Sequence, residues 1–517
     1  MSNSDIIAIL IAFVCYLMMM IVIGGIYMKR TSNTEDYFLG GRGLSGWVAA
    51  MSAQASDMSG WLLMGLPGAV YAMGTGQAWI AIGLFIGTVF NWIVISGRLR
   101  KYTIRANNAL TLPEFFGNRF HDTKNVLLLI SSVVIAIFFL VYTASALASG
   151  GKLFNTVFGL DYHIALTIGA FVILAYTFMG GFMAVCVTDF IQGLLMLVGL
   201  MIVPIVAFFI LGSGNIPDIL NQSGVTGGAS SFLNLFESDG KPLGFIDILS
   251  QLAWGLGYCG MPHILVRFMA IRDEKELKKS KKIAIVWVLV SLGMAIFIGI
   301  IGRAFLFPTI LGSEGAASTE SVFMAMITKV FTEHYHLAFI GGIFLCGILA
   351  AIMSTADSQL LVTASAVSQD IYKGVIKKDA KEETVLVISR ITVAVVAILA
   401  YLIAWDPNSS IMGLVSDAWA GLGSAFGPIV LMSLFWKRTN FAGAVAGIVS
   451  GGATVLVWDY LPIIGGETLS ATTGIYSLLV GFFISLALIV IASLCTKAPS
   501  EEMIQEFEDV AAGRVEA

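Results

Sequence analysis

Residues 52–68 read SAQASDMSGWLLMGLPG. The stretch sits inside an apolar run long enough to cross a bilayer. It nevertheless carries a carboxylate, Asp57, three hydroxyls, Ser52, Ser56 and Ser59, and a helix-weakening Gly60. An acid inside hydrocarbon must be paired, hydrated or bound to an ion. A weak helix there is tolerated only where its freed backbone groups line a cavity in the protein. The stretch therefore predicts a broken membrane helix beside a binding site.

The composition agrees. Of 517 residues, 57% are hydrophobic and only 12% charged, where a soluble chain carries about 25% charged residues. Mean hydropathy is +0.89. Apolar runs of about twenty residues follow one another, which predicts a polytopic α-helical membrane protein rather than a barrel of short alternating strands. The net charge of −4 gives no footing for nucleic acid. Cys15, Cys186, Cys259, Cys346 and Cys495 lie in apolar runs without paired spacing and read as small buried hydrophobes. The first run lacks a basic leader and is long enough to span, so it reads as a helix and not a cleaved signal.

Thirteen spans are expected, near 6–28, 44–72, 76–97, 125–150, 160–180, 184–212, 246–268, 283–306, 337–368, 385–404, 410–436, 441–461 and 474–495. Basic residues fall in alternate loops. Lys29, Arg30 and Arg42 follow the first span, and RDEKELKKSKK follows the seventh. About 25 of the 29 Lys and Arg share one side. That side reads as cytoplasmic, with the N-terminus outside and the C-terminus inside a cell membrane. Residues 320–333 could form a short interfacial helix. The tail 496–517 is short and acidic and holds no sensor or kinase domain.

Three spans depart from plain Leu, Ile, Val and Phe. Span two holds the opening stretch. Span seven reads LAWGLGYCGMPHILVRFMA, with Gly255, Gly257, Gly260 and Pro262. Span nine reads GILAAIMSTADSQLLV, with Ser354, Thr355, Asp357 and Ser358. Spans two and seven each head five spans, 44–212 and 246–436. Weak helices in corresponding positions of two halves point to inverted repeats with a midplane site between them. The leading helix 6–28 and the two C-terminal helices in 441–495 lie outside the repeat.

A hard cation such as sodium takes about five or six oxygen ligands. Freed carbonyls around Ala55 to Met58 could face Ser354 and Thr355, with the Ala351 carbonyl one turn earlier on the same face. Asp57 and Asp189 are candidate cation or proton groups. Asp357 and Asp417 read as structural or gating groups. Trp61, Tyr142, Trp254 and Tyr258 fall beside the expected cavity, where aromatic walls and freed N–H groups suit a small amino acid.

At these spans the chain resembles the sodium/solute symporter family. The resemblance runs nearly full length through DYFLGGR, SAQASDMSGWLLMGLPGAV, NNALTLPEFF, YTFMGGFMAVCVTDFIQG, WGLGYCGMPHILVRFMA and ILAAIMSTADSQLLV. It implies an all-α membrane protein with the leucine-transporter-like five-plus-five inverted repeat and an extra helix ahead of it. It implies symport of one sodium ion with L-proline, with no other cofactor. By position it implies a sodium site from the carbonyls of Ala55, Met58 and Ala351 and the hydroxyls of Ser354 and Thr355, with Asp57 essential nearby. Ser59 and Gly60 belong to the same sensitive segment. Asp189 matches an aspartate linked to ion release. Trp61, Tyr142, Trp254, Tyr258 and Pro262 match positions tied to proline binding or its gate. Asp357 stands where the proline-transporting pattern is uncharged, and Asp417 where an aromatic is familiar.

Rival readings are weaker. Another small solute, such as pantothenate, a monocarboxylate or a sugar, fits span seven less well than proline. A channel would need a continuous polar path. An enzyme would need a catalytic constellation such as HExxH, and none is present in the sequence. The five histidines form no metal spacing, and no obligate protein partner is evident.

Overall fold

The computed structural model describes residues 2–28, 34–177, 181–313 and 318–515. Lys29 and Arg30, the end of the expected span 160–180, residues 314–317 of the loop 307–336 and the last two tail residues lie outside the described residues. Among those described, ten helices are long and apolar enough to cross a membrane.

Named in chain order, α1 is Asn3–Met28. The expected second span is broken into α2, Gly46–Asp57, and α3, Trp61–Met73. Next come α4, Thr75–Arg105, the short α5, Leu112–Arg119, and α6, Val126–Phe158. Then follow α7, Tyr162–Thr177, and α8, Phe182–Leu211. The expected seventh span is also broken. It consists of α9, Phe245–Leu252, a 3-10 segment, Ala253–Gly260, and α10, Pro262–Ala270. After it come α11, Glu274–Leu306, the short α12, Val322–Ile327, and α13, Ala338–Ile376. The chain ends with α14, Glu382–Ile403, α15, Ile411–Phe435, α16, Phe441–Tyr460, α17, Ser477–Cys495, and α18, Glu501–Ala511. The expected spans 44–72 and 246–268 are thus broken helices, while α7 is described as far as Thr177.

Burial orders these helices. In α13 and α15, 83% of the apolar window is buried, against 28% in α1. The spans buried by protein are the less apolar ones: α13 and α15 have mean hydropathies of 2.1 and 1.5 and form the core, while α1, at 3.1, lies at the edge of the bundle. Within 320–333, expected to form a short helix, α12 forms and buries Val322, Phe323, Met324, Met326 and Ile327 against the protein. The tail forms α18, which buries Met503, Phe507 and Val510 and pairs Glu506 with Arg105 and Glu508 with Lys437.

The breaks follow from local chemistry. Met58 leaves the helical region at φ −85°, ψ 74°. At the second break Met261 is extended at φ −83°, ψ 104° ahead of Pro262, and the proline ring steers it there. The 3-10 segment is held by close backbone contact with α4. A Cβ on Gly87 would lie 2.1 Å from the Gly255 carbonyl oxygen. Asn91 Nδ2 also donates to the Tyr258 carbonyl at 3.0 Å. Gly87→Ala should therefore destabilise the protein by about 1–3 kcal/mol, read as a lower midpoint of thermal unfolding in detergent.

Candidate functional site

The stop at Met58 sets the site. In a continuous helix the Ser59 N–H would bond to the Ala55 carbonyl. Here it bonds to the Asp57 carbonyl at 3.0 Å. The Ala55 carbonyl is taken across the bundle instead. Ser354 Oγ donates to it at 2.8 Å and Thr355 Oγ1 at 3.4 Å. Ser354 Oγ also lies 3.2 Å from the Ala351 carbonyl. Four of the expected sodium-site oxygens, from Ala55, Ala351, Ser354 and Thr355, are thus gathered at one contact between α2 and α13. Met58 is held through its sulfur, which accepts from Trp287 Nε1 at 3.0 Å and Ser291 Oγ at 3.2 Å, both of α11.

Asp57 joins the two broken segments. Tyr258 OH donates to Asp57 Oδ2 at 2.5 Å, while Asp57 Oδ1 is buried with no hydrogen-bond partner among the described residues. The side chain therefore binds span seven rather than the hydroxyls of α13. Its carbonyl accepts the Trp61 indole N–H at 2.9 Å, which folds Trp61 back over the break. Ser59 Oγ accepts from the Trp61 N–H at 3.4 Å. Gly60 is needed because α6 passes close by: a Cβ there would lie 2.3 Å from Ser149 Oγ. Tyr142 is buried beside Ser59 and Trp61, and its OH makes no hydrogen bond of ordinary geometry among the described residues. Unsatisfied buried oxygens at a break mark a place where a polar ligand could sit.

The remaining aromatics divide between two spaces. Tyr258 packs edge-on against Trp419 of α15, with ring centroids 5.1 Å apart. Trp254 stacks on Tyr476, also at 5.1 Å, and its carbonyl accepts from Trp419 Nε1. Trp254 lines a cleft of about 550 Å³ with Gly65, Lys152, Glu320, Met412 and Ser416. Pro262 lines a different, small cavity with Thr111, Phe182 and Asp370. Trp254 and Pro262 do not share one cavity in this state. Asp417 accepts from Tyr460 OH at 2.5 Å, away from the break. Asp357 is buried on α13, within 3.4 Å of Ser358 Oγ.

Asp189 is the centre of a second network. Its Oδ2 accepts from Ser52 Oγ at 2.7 Å, Ser56 Oγ at 3.2 Å and Arg267 Nη2 at 3.3 Å. Arg267 also donates to Ser358 Oγ and to the His263 carbonyl. Both members of the ion pair are fully buried. Arg267 thus ties α10 to α2, α8 and α13. The sequence reading missed it, and also missed Lys152, which donates to Glu320 Oε2 at 2.6 Å. Glu320 Oε1 in turn accepts the Ile411 N–H at the start of α15, at 2.9 Å. The signal was available, since a lone basic residue in an apolar span needs a partner.

Residues 37–451 match the model of the Sodium:solute symporter family. The chain belongs to that family. It is 43% identical over 501 residues to the osmoregulated proline transporter OpuE of Bacillus subtilis (strain 168), covering 97% of each chain. It is 44% identical over 491 residues to the sodium/proline symporter of Staphylococcus aureus (strain JH9), covering 94% of this chain and 92% of the relative. Among solved structures, a Na+-coupled sialic acid symporter in a substrate-bound outward-open state matches with TM-score 0.75 and 20% identity. That match covers 96% of this chain and 99% of the other. It shows the fold of this family member to be the leucine-transporter-like one that the sequence led us to expect.

Removing one partner of a buried ion pair costs about 3–5 kcal/mol, more than removing both. Arg267→Met should therefore lower the unfolding midpoint strongly. The double variant Arg267→Met/Asp189→Asn should recover part of that loss. Additive losses in thermal unfolding would mean the two side chains act separately.

Proposed function

We propose that the protein couples inward sodium flow to uptake of L-proline by alternating access. The observation that carries this reading is the helix break at Met58, which gathers the oxygens of Ala55, Ala351, Ser354 and Thr355. Two relatives, an osmoregulated proline transporter and a sodium/proline symporter, point to the solute and the ion. Sodium binds among those four oxygens and the Met58 carbonyl. It replaces the hydrogen bonds that the two hydroxyls now donate to neighbouring carbonyls, and so ties α2 to α13. Asp57 links that tie to Tyr258 and thereby to the second break. Proline lies between Trp61, Tyr142 and Tyr258, beside Ser59 and Gly60, with Trp254 and Pro262 on its routes in and out. Asp189 receives the ion on its way inward.

The repeat boundaries are 44–212 and 246–436, with thirteen crossings when the broken and short segments are included. The N-terminus faces outward and the basic loops face the cytoplasm of the cell membrane, as the bias of Lys and Arg supports. One positive charge moving through about 100 mV releases roughly 2.3 kcal/mol. A tenfold sodium gradient adds about 1.4 kcal/mol. Together these support accumulation of several-hundredfold, so one sodium per proline suffices. The protein acts as a transporter and not an enzyme.

Uptake of labelled L-proline into proteoliposomes tests this reading. Accumulation should follow an inward sodium gradient and collapse with a sodium ionophore. Folded protein that drives another solute, and not proline, would keep the fold and replace the substrate. Asp57→Ala should abolish sodium-dependent uptake while the protein stays folded. Thr355→Ala should raise the sodium concentration for half-maximal uptake about tenfold, the equivalent of about 1.4 kcal/mol. An unchanged sodium dependence would remove Thr355 from the site.

A further inference from the structure

Helix α13 turns oxygen inward beyond the site just described. Ala351, Ser354, Thr355 and Ser358 are followed on the same face by Val362, Ser365, Ala366 and Asp370. Steps of three or four residues keep side chains on one face, each about 6 Å further along the axis. From Ala366 to Ile376 the helix widens to the π form. Val362, Ser365, Ala366 and Asp370 line one cavity. Thr111, Phe182, Pro262 and Val266 form its other walls. Its free space is about 20 Å³, room for about one water or one bare cation.

This cavity is the next space beyond the Asp189 network, toward the basic end of the bundle. Val266 precedes Arg267 in the chain, and the Phe182 ring lies 5.2 Å from the Arg267 guanidinium. Asp370 is 2% exposed. Thr111 Oγ1 donates to its Oδ1 at 2.8 Å, and its Oδ2 has no hydrogen-bond partner among the described residues. Nor does any lysine or arginine among those residues pair with it. Thr111 is also the cap of α5, where it accepts the Glu114 N–H. A second carboxyl, Glu114, stands there, raised above its ordinary range by burial.

We propose that Asp370 forms a transient site for the coupling cation, the last station before the cytoplasm. The inference rests on the reading above that sodium is carried inward. A buried carboxylate oxygen without a partner is costly and attracts a cation that can reach it. In the present state the Arg267–Asp189 pair stands between the two sets of oxygens. The ion reaches Asp370 only when that pair parts, and Ser365, on the same cavity wall, then supplies a hydroxyl oxygen beside the carboxylate.

Right-side-out and inside-out membrane vesicles present the two faces to graded sodium. Asp370→Asn should raise the sodium needed for half-maximal proline transport at the cytoplasmic face fivefold or more. It should change the requirement at the outer face less than twofold. Thr111→Val removes the hydrogen bond and keeps the carboxylate, so the cytoplasmic requirement should stay or fall. Equal shifts at both faces, the same shift in both variants, or no shift would overturn the proposal. Uptake from the outer face confirms that each variant is folded. If the unaltered protein needed sodium at neither face, the reading of sodium-coupled transport would fall first, and this one with it.

Discussion

Everything in this molecule turns on one carbonyl. Hydrocarbon offers no water to a backbone group, so a helix that stops in mid-membrane must pass its orphaned groups to another part of the protein. When α2 stops at Met58, the Ala55 carbonyl goes to Ser354 and Thr355 of α13. The bond spans 299 residues of sequence and brings an early helix against one of the two most buried ones. The same break leaves Asp57 a short reach from Tyr258 in the other broken span. A weak helix thus gains two tertiary partners that a continuous helix would not have.

Those partners differ in kind. The contact of Ala55 with α13 is made of oxygens that a small cation could coordinate. The contact of Asp57 with Tyr258 is a short hydrogen bond of 2.5 Å between a phenol and a carboxyl. Ala55 and Ser59 are about one helical turn apart in the chain, and Asp57 lies between them. On the proposed reading, ion and solute act on one short segment. Occupancy on one side would change the order of the backbone that forms the other, and that is a coupling free energy in the plain sense.

Much of this was legible in the sequence because hydrocarbon penalises exceptions. Gly60, Pro262, Asp57 and the pair Ser354–Thr355 stand out in apolar runs, and each lies at or beside a break in the structure. Partners remote in sequence were not legible. Arg267 meets Asp189 across 78 residues, and no periodicity of either helix announces the meeting. Trp254 stacks on Tyr476, which precedes the last span and lies outside the repeat. The acidic tail reads as a solvated segment by composition. As a helix, however, it places Met503, Phe507 and Val510 on one face, and Phe507 lies against the guanidinium of Arg98 at 5.0 Å. Its fate depended on a surface that only the folded chain creates.

The charge arrangement gives the last constraint. Asp57 meets a tyrosine, Asp189 an arginine and Asp370 a threonine. A protein that only needed stability would be served as well by apolar packing at these places. Three carboxylates arranged along the α2–α13 contact and down the face of α13 make sense if a positive charge has to move past them. Of the three, the middle one already has a cation bound to it, the Arg267 guanidinium. That pairing separates the outer pair of oxygens, at Ala55 and Asp57, from the inner one at Asp370. On the proposed reading the guanidinium has the sign of the travelling ion and stands in its path. Passage would then require α10 to move, and α10 is the continuation of the second broken span. The barrier to the ion and the hinge at the solute site would be parts of one segment, and sodium would not cross alone.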